Sequence, residues 1–343
     1  MDSFIDILPK VELHLHIEGT LEPETVFQLA QKNNVKLSHA TVDELRNAYQ
    51  FENLQQFLDL YYQACDVLMT QDDFHQMTMA FLTRVHQDNL VHLELFVDPQ
   101  SHTHRGIAYE VVINGIWQAL KEAQEKWGMT GKIIVCVLRH LSPESGMEML
   151  DQTMEYLRNH PDAPIVGLGL DSSEKDRPPH LFQEIFAKAR EHGLKVVSHA
   201  GEEGPPSYIT ESLDLLKVHR VDHGVRCLED LDLVKRLGQL RMPLTVCPNS
   251  NIKLCVFDKM EDHNLKIMLE EHDLCVTVNS DDPAYFGGYI GENYKNVANA
   301  LKLSKEQLVK LAKNGIEASF LTDEEKDALY QRLEDAVRQF EEK

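Results

Sequence analysis

Eight short apolar runs, each followed by a stretch of helical spacing, dictate the architecture this chain can adopt. They cover residues 11–17, 90–97, 132–138, 165–170, 195–198, 220–225, 243–246 and 274–279. Between them, Leu181, Phe182, Ile185, Phe186 and Ala189 recur at helical intervals and stop at Gly193. Leu228, Leu231, Val234 and Leu237 do the same and stop at Gly238. Apolar spacing of three and four with a following glycine marks a helix and its terminator. Strands that read as continuous apolar runs need cover, which parallel strands crossed by helices supply. Eight such units predict a closed (β/α)8 TIM barrel of the α/β class rather than an open doubly wound sheet. The long interval between the first two runs must house extra helices: Phe57, Leu60, Tyr61 and Ala64 have helical period there, as do Phe74, Met77, Phe81 and Val85. Residues 303–340 predict a helical tail that closes the bottom or side of the barrel. No repeat, linker or low-complexity segment interrupts the chain, so residues 1–343 read as a single domain.

Bulk properties narrow the partners. The 343 residues carry 34 basic against 56 acidic side chains, a net charge of -22. That balance repels phosphate backbones and anionic lipid, so the expected partner is a small molecule, with no nucleic acid and no membrane. No apolar stretch has membrane-spanning length, and residues 1–7 carry two aspartates and no basic segment, so a cytoplasmic protein is expected. The six cysteines form no Cys-x-x-Cys pair and read as reduced core residues. Monomer and homo-oligomer both stay open.

Polar residues fall where the barrel would place a site. Active sites of such barrels are built at the C-terminal ends of the strands. His14 and His16 alternate with Leu13, Leu15 and Ile17 in the first run, so both imidazoles point one way. His199 ends the fifth strand with Glu202 three residues on, His223 ends the sixth, and Asp281 and Asp282 end the eighth. Four histidines and a carboxylate pair at one mouth are hard to explain as packing, because unpaired buried charge is costly and a metal compensates it. His14, His16, His199 and Asp281 make a complete donor set for one divalent ion, most simply Zn2+, with iron and manganese as alternatives. Zinc lowers the pKa of a bound water from ~15.7 to about 7. His223 is then placed to orient or deprotonate that water, Glu202 to act as an acid, and Asp282 to bind substrate. Two-metal barrel hydrolases typically carry a carboxylated lysine at the end of strand 4. Here Asp171-Ser172-Ser173 stands there, with no lysine before Lys175, so one metal is expected.

These segments resemble the adenosine/adenine deaminase family of the amidohydrolase superfamily, from Leu8 to about Leu321. The resemblance is carried by residues 9–16 (PKVELHLH), 198–202 (SHAGE), 222–224 (DHG), 247–251 (CPNSN) and 279–283 (NSDDP). It implies hydrolytic attack at C6 of a 6-aminopurine, with Glu202 protonating N1, His223 assisting at the attacking oxygen and Asp282 bonding N7. Ammonia leaves and a 6-oxopurine forms. Adenosine deaminases carry Asp, which contacts ribose, where this chain has Glu18, and a longer carboxylate there is expected to push into ribose space. They also carry Ala-Gly-Asp-Glu where this chain has the shorter Ser172-Ser173-Glu174. Residues 171–174, 201–206 and 282–289 resemble the adenine deaminase branch instead. The resemblance therefore implies conversion of adenine to hypoxanthine in purine salvage, with adenosine or N6-substituted adenines as alternative substrates. A silent purine sensor is disfavoured by the presence of all four ligands with Glu202 and His223.

Weaker signals have ordinary explanations. His102 and His104 sit in a polar loop and are expected at the pocket mouth rather than on a metal. His263 and His272 lie in polar helical stretches and are expected to be solvated. Phe57, Tyr61 and Tyr62 read as core, with a lid over the base as the other option. Thr322 is a plausible N-cap for the final helix.

Overall fold

The structure, a computed structural model, describes residues 1–51 and 54–342. Eight parallel strands follow one another around the sheet: β1 (Lys10–Glu12), β2 (Leu90–Val97), β3 (Thr130–Leu138), β4 (Ile165–Asp171), β5 (Lys195–Ala200), β6 (Arg220–His223), β7 (Leu244–Val246) and β8 (Val276–Val278). Beyond β8 the ring closes onto the chain after β1. His16 N–H donates to Asp281 C=O at 2.9 Å, and Asp281 N–H donates to His14 C=O at 3.0 Å. The chain therefore forms the (β/α)8 barrel that its alternating pattern predicts.

Two apolar layers hold it together. The larger lies between the strands and the surrounding helices, as in Leu93, Val135, Leu168 and Val246 against Phe74, Ile113, Ile185 and Leu237. A smaller cluster, Phe96, Ile134, Cys136 and Val197, fills the barrel itself. Gly169 on β4 makes room for it, since a Cβ there would lie 2.5 Å from Cys136 Sγ. Below this plug the fully buried Arg220 pairs with Glu94, and its guanidinium lies 4.0 Å over the Phe320 ring.

The expected extra helices occupy the β1–β2 interval: Pro23–Asn33, Val42–Ala48, Leu54–Cys65 and Gln71–His86. The tail forms helices Lys305–Ala318 and Asp323–Glu341, and Thr322 caps the second by accepting from Glu325 N–H. Several strands are shorter than their apolar runs. β1 ends at Glu12, and β6 stops at His223 because His223 (φ 62°) and Gly224 (φ 71°) are both left-handed. Apolar character reports burial, and the segments that turn into the mouth are buried without being paired. Among the described residues no helix is long and apolar enough to cross a membrane.

Candidate active site

The mouth of the barrel gathers the seven residues singled out from the sequence. His14, His16, His199, His223, Glu202, Asp281 and Asp282 are all buried and lie at the ends of β1, β5, β6 and β8. His16 Nε2 stands 3.2 Å from His199 Nε2 and 3.4 Å from Asp281 Oδ1, which in turn is 3.3 Å from His14 Nε2. Donors around one tetrahedral ion at ~2.0–2.1 Å stand about 3.3–3.4 Å apart, so these spacings fit a single divalent cation. A mutually close quartet among the described residues, however, is His14, His199, His223 and Asp281, with donor atoms all within 4.8 Å of one another. Distance alone thus leaves His16 and His223 competing for one place.

Hydrogen bonds on the far side of each ring bear on that choice. His14 Nδ1 is 3.1 Å from Thr245 C=O and His199 Nδ1 is 3.1 Å from Leu170 C=O, so both rings carry their proton at Nδ1 and turn a lone pair inward. His16 Nδ1 faces Asp171 Oδ2 at 3.5 Å. His14 Nε2 is buried and has no hydrogen-bond partner among the described residues, an orphan that a cation would satisfy.

The carboxyls divide sharply by charge. Burial opposes ionisation of Asp281, yet His14, through its charge and its hydrogen bond, outweighs it and holds the group well below the usual carboxylate range. Asp282 is driven well above that range by burial and by the charge of Asp281. Glu202 is also driven well above it, by burial, then by Asp281, Glu174 and Glu203. The environment thus pushes Asp281 in one direction and Asp282 and Glu202 in the other, the kind of division by which neighbouring carboxyls take different roles. Burial brings His16 down to about 4 and His223 to about 3, and holds His199 well below its ordinary value. Those rings are neutral, the form that binds metals.

Backbone conformation aims these groups. His223 (φ 62°), Asp281 (φ 63°) and Ser172 (φ 71°) are non-glycine residues in the left-handed region, a strain concentrated at functional sites. Glu202 is held by its loop: both oxygens of the buried Glu174 accept backbone N–H groups, from Gly201 at 3.0 Å, Glu202 at 2.8 Å and Glu203 at 3.3 Å. Gly19 gives Asp282 its place, because a Cβ there would lie 2.0 Å from Asp282 Oδ1. Sequence reading missed Glu174 and Gly19 as site-building residues. The spacing of Glu174 from Asp171 was visible, but its partners lie in the loop that follows β5.

A pocket opens beside the cluster, lined by Phe57, Tyr61, Tyr62, Asp98, Ser172 and Phe286 as well as the groups above. Phe57, Tyr61 and Tyr62 thus serve as pocket wall and not only as core. Glu18 corrects an expectation. Its side chain turns away from the pocket: Oε1 accepts from His102 Nε2 at 3.0 Å and from Asp98 N–H at 3.1 Å. Glu18 is not among the residues lining the pocket, whereas Asp98, missed in the sequence, is. His102 is accordingly buried beneath the pocket, not at its mouth, and Arg105 donates to its Nδ1 at 2.9 Å. His263, expected in solvent, is buried as well, because the turn after helix Pro248–Lys253 folds back over the strand ends.

Comparison with known proteins agrees with this construction. The adenosine deaminase family profile matches residues 9–336. An adenine deaminase of Hahella chejuensis is 54% identical over 334 residues, spanning 97% of this chain and 98% of that protein. The crystal structure of an adenine deaminase from Arthrobacter aurescens superposes with a TM-score of 0.93 at 46% identity, covering 96% of this chain and 99% of that one. An amidohydrolase from Burkholderia ambifaria, solved with bound Zn, superposes at a TM-score of 0.89 with 25% identity, covering 100% and 95%. With a barrel of this order, this cluster at its mouth and relatives matched end to end, the chain belongs to the adenosine deaminase family of the amidohydrolase superfamily, on the adenine deaminase branch.

Proposed function

We propose that the chain hydrolyses adenine to hypoxanthine and ammonia, serving purine salvage in the cytoplasm, with one zinc ion held by His14, His16, His199 and Asp281. The observation that carries this reading is one buried donor cluster of histidines with Asp281, flanked by Glu202 and Asp282, whose carboxyls are both pushed well above the usual range. When bound there, a divalent ion supplies Lewis acidity, enough in such sites to bring the pKa of a water from ~15.7 to about 7. Glu202, whose carboxyl burial pushes well above its usual range, donates a proton to ring nitrogen N1, which withdraws electrons from C6 and opens it to attack. Asp282, pushed in the same direction by burial and by Asp281, hydrogen-bonds N7 and fixes the base in its plane. His223, 3.4 Å from Glu202 Oε2 and 3.7 Å from Asp281 Oδ2, stands where the attacking oxygen must pass. Water adds at C6, one of its protons passes to N6 and the other restores Glu202, the C6–N6 bond breaks, and ammonia departs with the oxygen left on the ring as the 6-oxo group. The aromatic wall of Phe57, Tyr61 and Phe286 excludes bulk water and offers flat apolar surface to a purine.

The test compares specificity constants for adenine, adenosine and N6-methyladenine, alongside metal analysis of protein purified without added metal. Adenine is expected to lead and zinc to occur at one per chain. Preference for adenosine, or absence of turnover in the metal-loaded protein, overturns the reading.

A further inference from the structure

A buried polar chain behind β7 and β8 ends on His223, and the steps above leave it unused. Helix Pro248–Lys253 carries Asn251, and His263 precedes helix Leu265–Glu270; both side chains are buried. The backbone N–H of Leu265 donates to His263 Nδ1 at 3.0 Å. A backbone amide can only donate, so Nδ1 accepts and the ring proton sits on Nε2. That Nε2 lies 3.2 Å from Asn251 Oδ1 and donates to it. The direction of the Asn251 amide follows, and its Nδ2, 3.4 Å from His223 Nδ1, donates in turn. His223 therefore accepts at Nδ1 and carries its proton on Nε2, turned towards Glu202 and Asp281. His14 and His199 have the opposite tautomer, with Nδ1 donating to backbone carbonyls. Four rings of one chemistry are thus sorted by their outer hydrogen bonds.

We propose that Asn251 and His263 are positioning residues that hold His223 as an Nε2–H donor, which keeps it out of the metal's coordination sphere and aims its proton at the oxygen attacking C6. The first half stands on geometry alone; the second rests on the adenine reading. An imidazole whose inward nitrogen bears a proton has no lone pair for a cation, so the relay leaves His16 the fourth ligand place. It also gives the resting His223 the role of a hydrogen-bond donor rather than a base.

The test reads the tautomer directly. Zinc-loaded protein with nitrogen-15 histidine, compared with His223→Gln to identify the signal, is expected to show His223 protonated at Nε2. In Asn251→Asp both outward oxygens accept, so His223 is expected to move its proton to Nδ1. Its kcat should then fall by ~10³–10⁴-fold, the scale of a wrong-tautomer histidine, with KM changed less than tenfold and zinc content kept. His263→Gln, whose amide can still donate to Asn251 Oδ1, should restore most of the activity that His263→Leu loses. A wild-type His223 protonated at Nδ1 overturns the relay, as does an Asn251→Asp enzyme with wild-type kcat. If Asn251→Asp does not fold, the wild-type tautomer with the His263 pair decides. A wild type that holds the Nε2–H form yet leaves adenine untouched supports the relay and sinks the adenine reading.

Discussion

The backbone N–H of Asp98 donates to Glu18 Oε1 at 3.1 Å, so the carboxylate at position 18 acts as a brace beneath the pocket wall and not as part of it. Asp98 stands on that brace with its Oδ2 accepting from Tyr61 OH at 3.3 Å. Its Oδ1 is buried and has no partner among the described residues. A free purine base carries an imidazole N–H that a nucleoside has replaced by a sugar bond. Asp98 lines the pocket beside His16 and Asp171, and under the proposed adenine reading we assign it to that N–H edge of the base.

Asp98→Asn is therefore expected to raise KM for adenine by roughly 10–100-fold, the equivalent of about 1–3 kcal/mol for a buried hydrogen bond. Turnover of 9-methyladenine, which lacks that N–H, should change little, so discrimination between the two shrinks. Steady-state kinetics on both compounds checks this. An unchanged ratio of their specificity constants would remove Asp98 from recognition of the base.

Glu174 supports the proton donor through the backbone. Replacing it with Gln puts an amide NH2 against N–H groups that need acceptors, at residues 201 to 203. Activity should drop by about 10–100-fold, the usual cost of losing a supporting partner, with metal content unchanged. The pH profile adds a second readout. Glu202 works protonated, so kcat/KM declines as pH rises through its elevated pKa. Glu174 contributes to that elevation, after burial and Asp281. Its removal should move the alkaline limb to lower pH, and an unmoved limb would refute the electrostatic part.

Much of this site was legible because strand ends in a barrel converge whatever the loops do. His14, His16, His199, His223 and Asp281 could be placed in one mouth by counting apolar runs. Partners supplied from across the barrel were not legible. Glu174 serves the loop after the next strand, Glu18 turned towards His102 instead of a ribose, and His263 looked like a surface residue until a turn folded over it. Local polarity predicts exposure only where no long-range contact covers the segment. The left-handed backbone at His223 and Asp281 was equally hidden, since Asp and His, though enriched in that region, adopt it at only a small share of positions.

Metal content should separate His16 from His223. Alanine at His14, His16, His199 or Asp281 is expected to cost more metal affinity than the ~10–100-fold lost with an outer partner. His223→Ala should retain one ion per chain while kcat collapses. Competition with a chelator followed by elemental analysis distinguishes them. If His223→Ala loses its metal and His16→Ala keeps it, the quartet that includes His223 is the true ligand set.

Glu12 predicts how stability varies with pH away from the chemistry. Its carboxyl is fully buried on β1, with Oε1 accepting from Ser280 N–H at 2.9 Å and from the Ser280 hydroxyl, and Oε2 without a partner. Burial raises its pKa from 4.5 to about 7, and the bonds from Ser280 oppose that rise only partly. Between those values the folded chain binds a proton that the unfolded chain has released. Stability from this group is therefore present below about pH 4.5, falls as pH rises, and levels off above about 7, a loss of about 3 kcal/mol. Glu12→Gln keeps an acceptor for Ser280 and cannot ionise. Urea unfolding of wild type and variant at pH 5 and pH 8 isolates this group, because Glu18 and Asp98, whose carboxyls are also raised, are common to both proteins. The variant should gain on the wild type by up to about 3 kcal/mol between the two conditions. A difference that does not vary with pH would mean that Glu12 stays charged in the folded barrel, with Ser280 sufficient to solvate it.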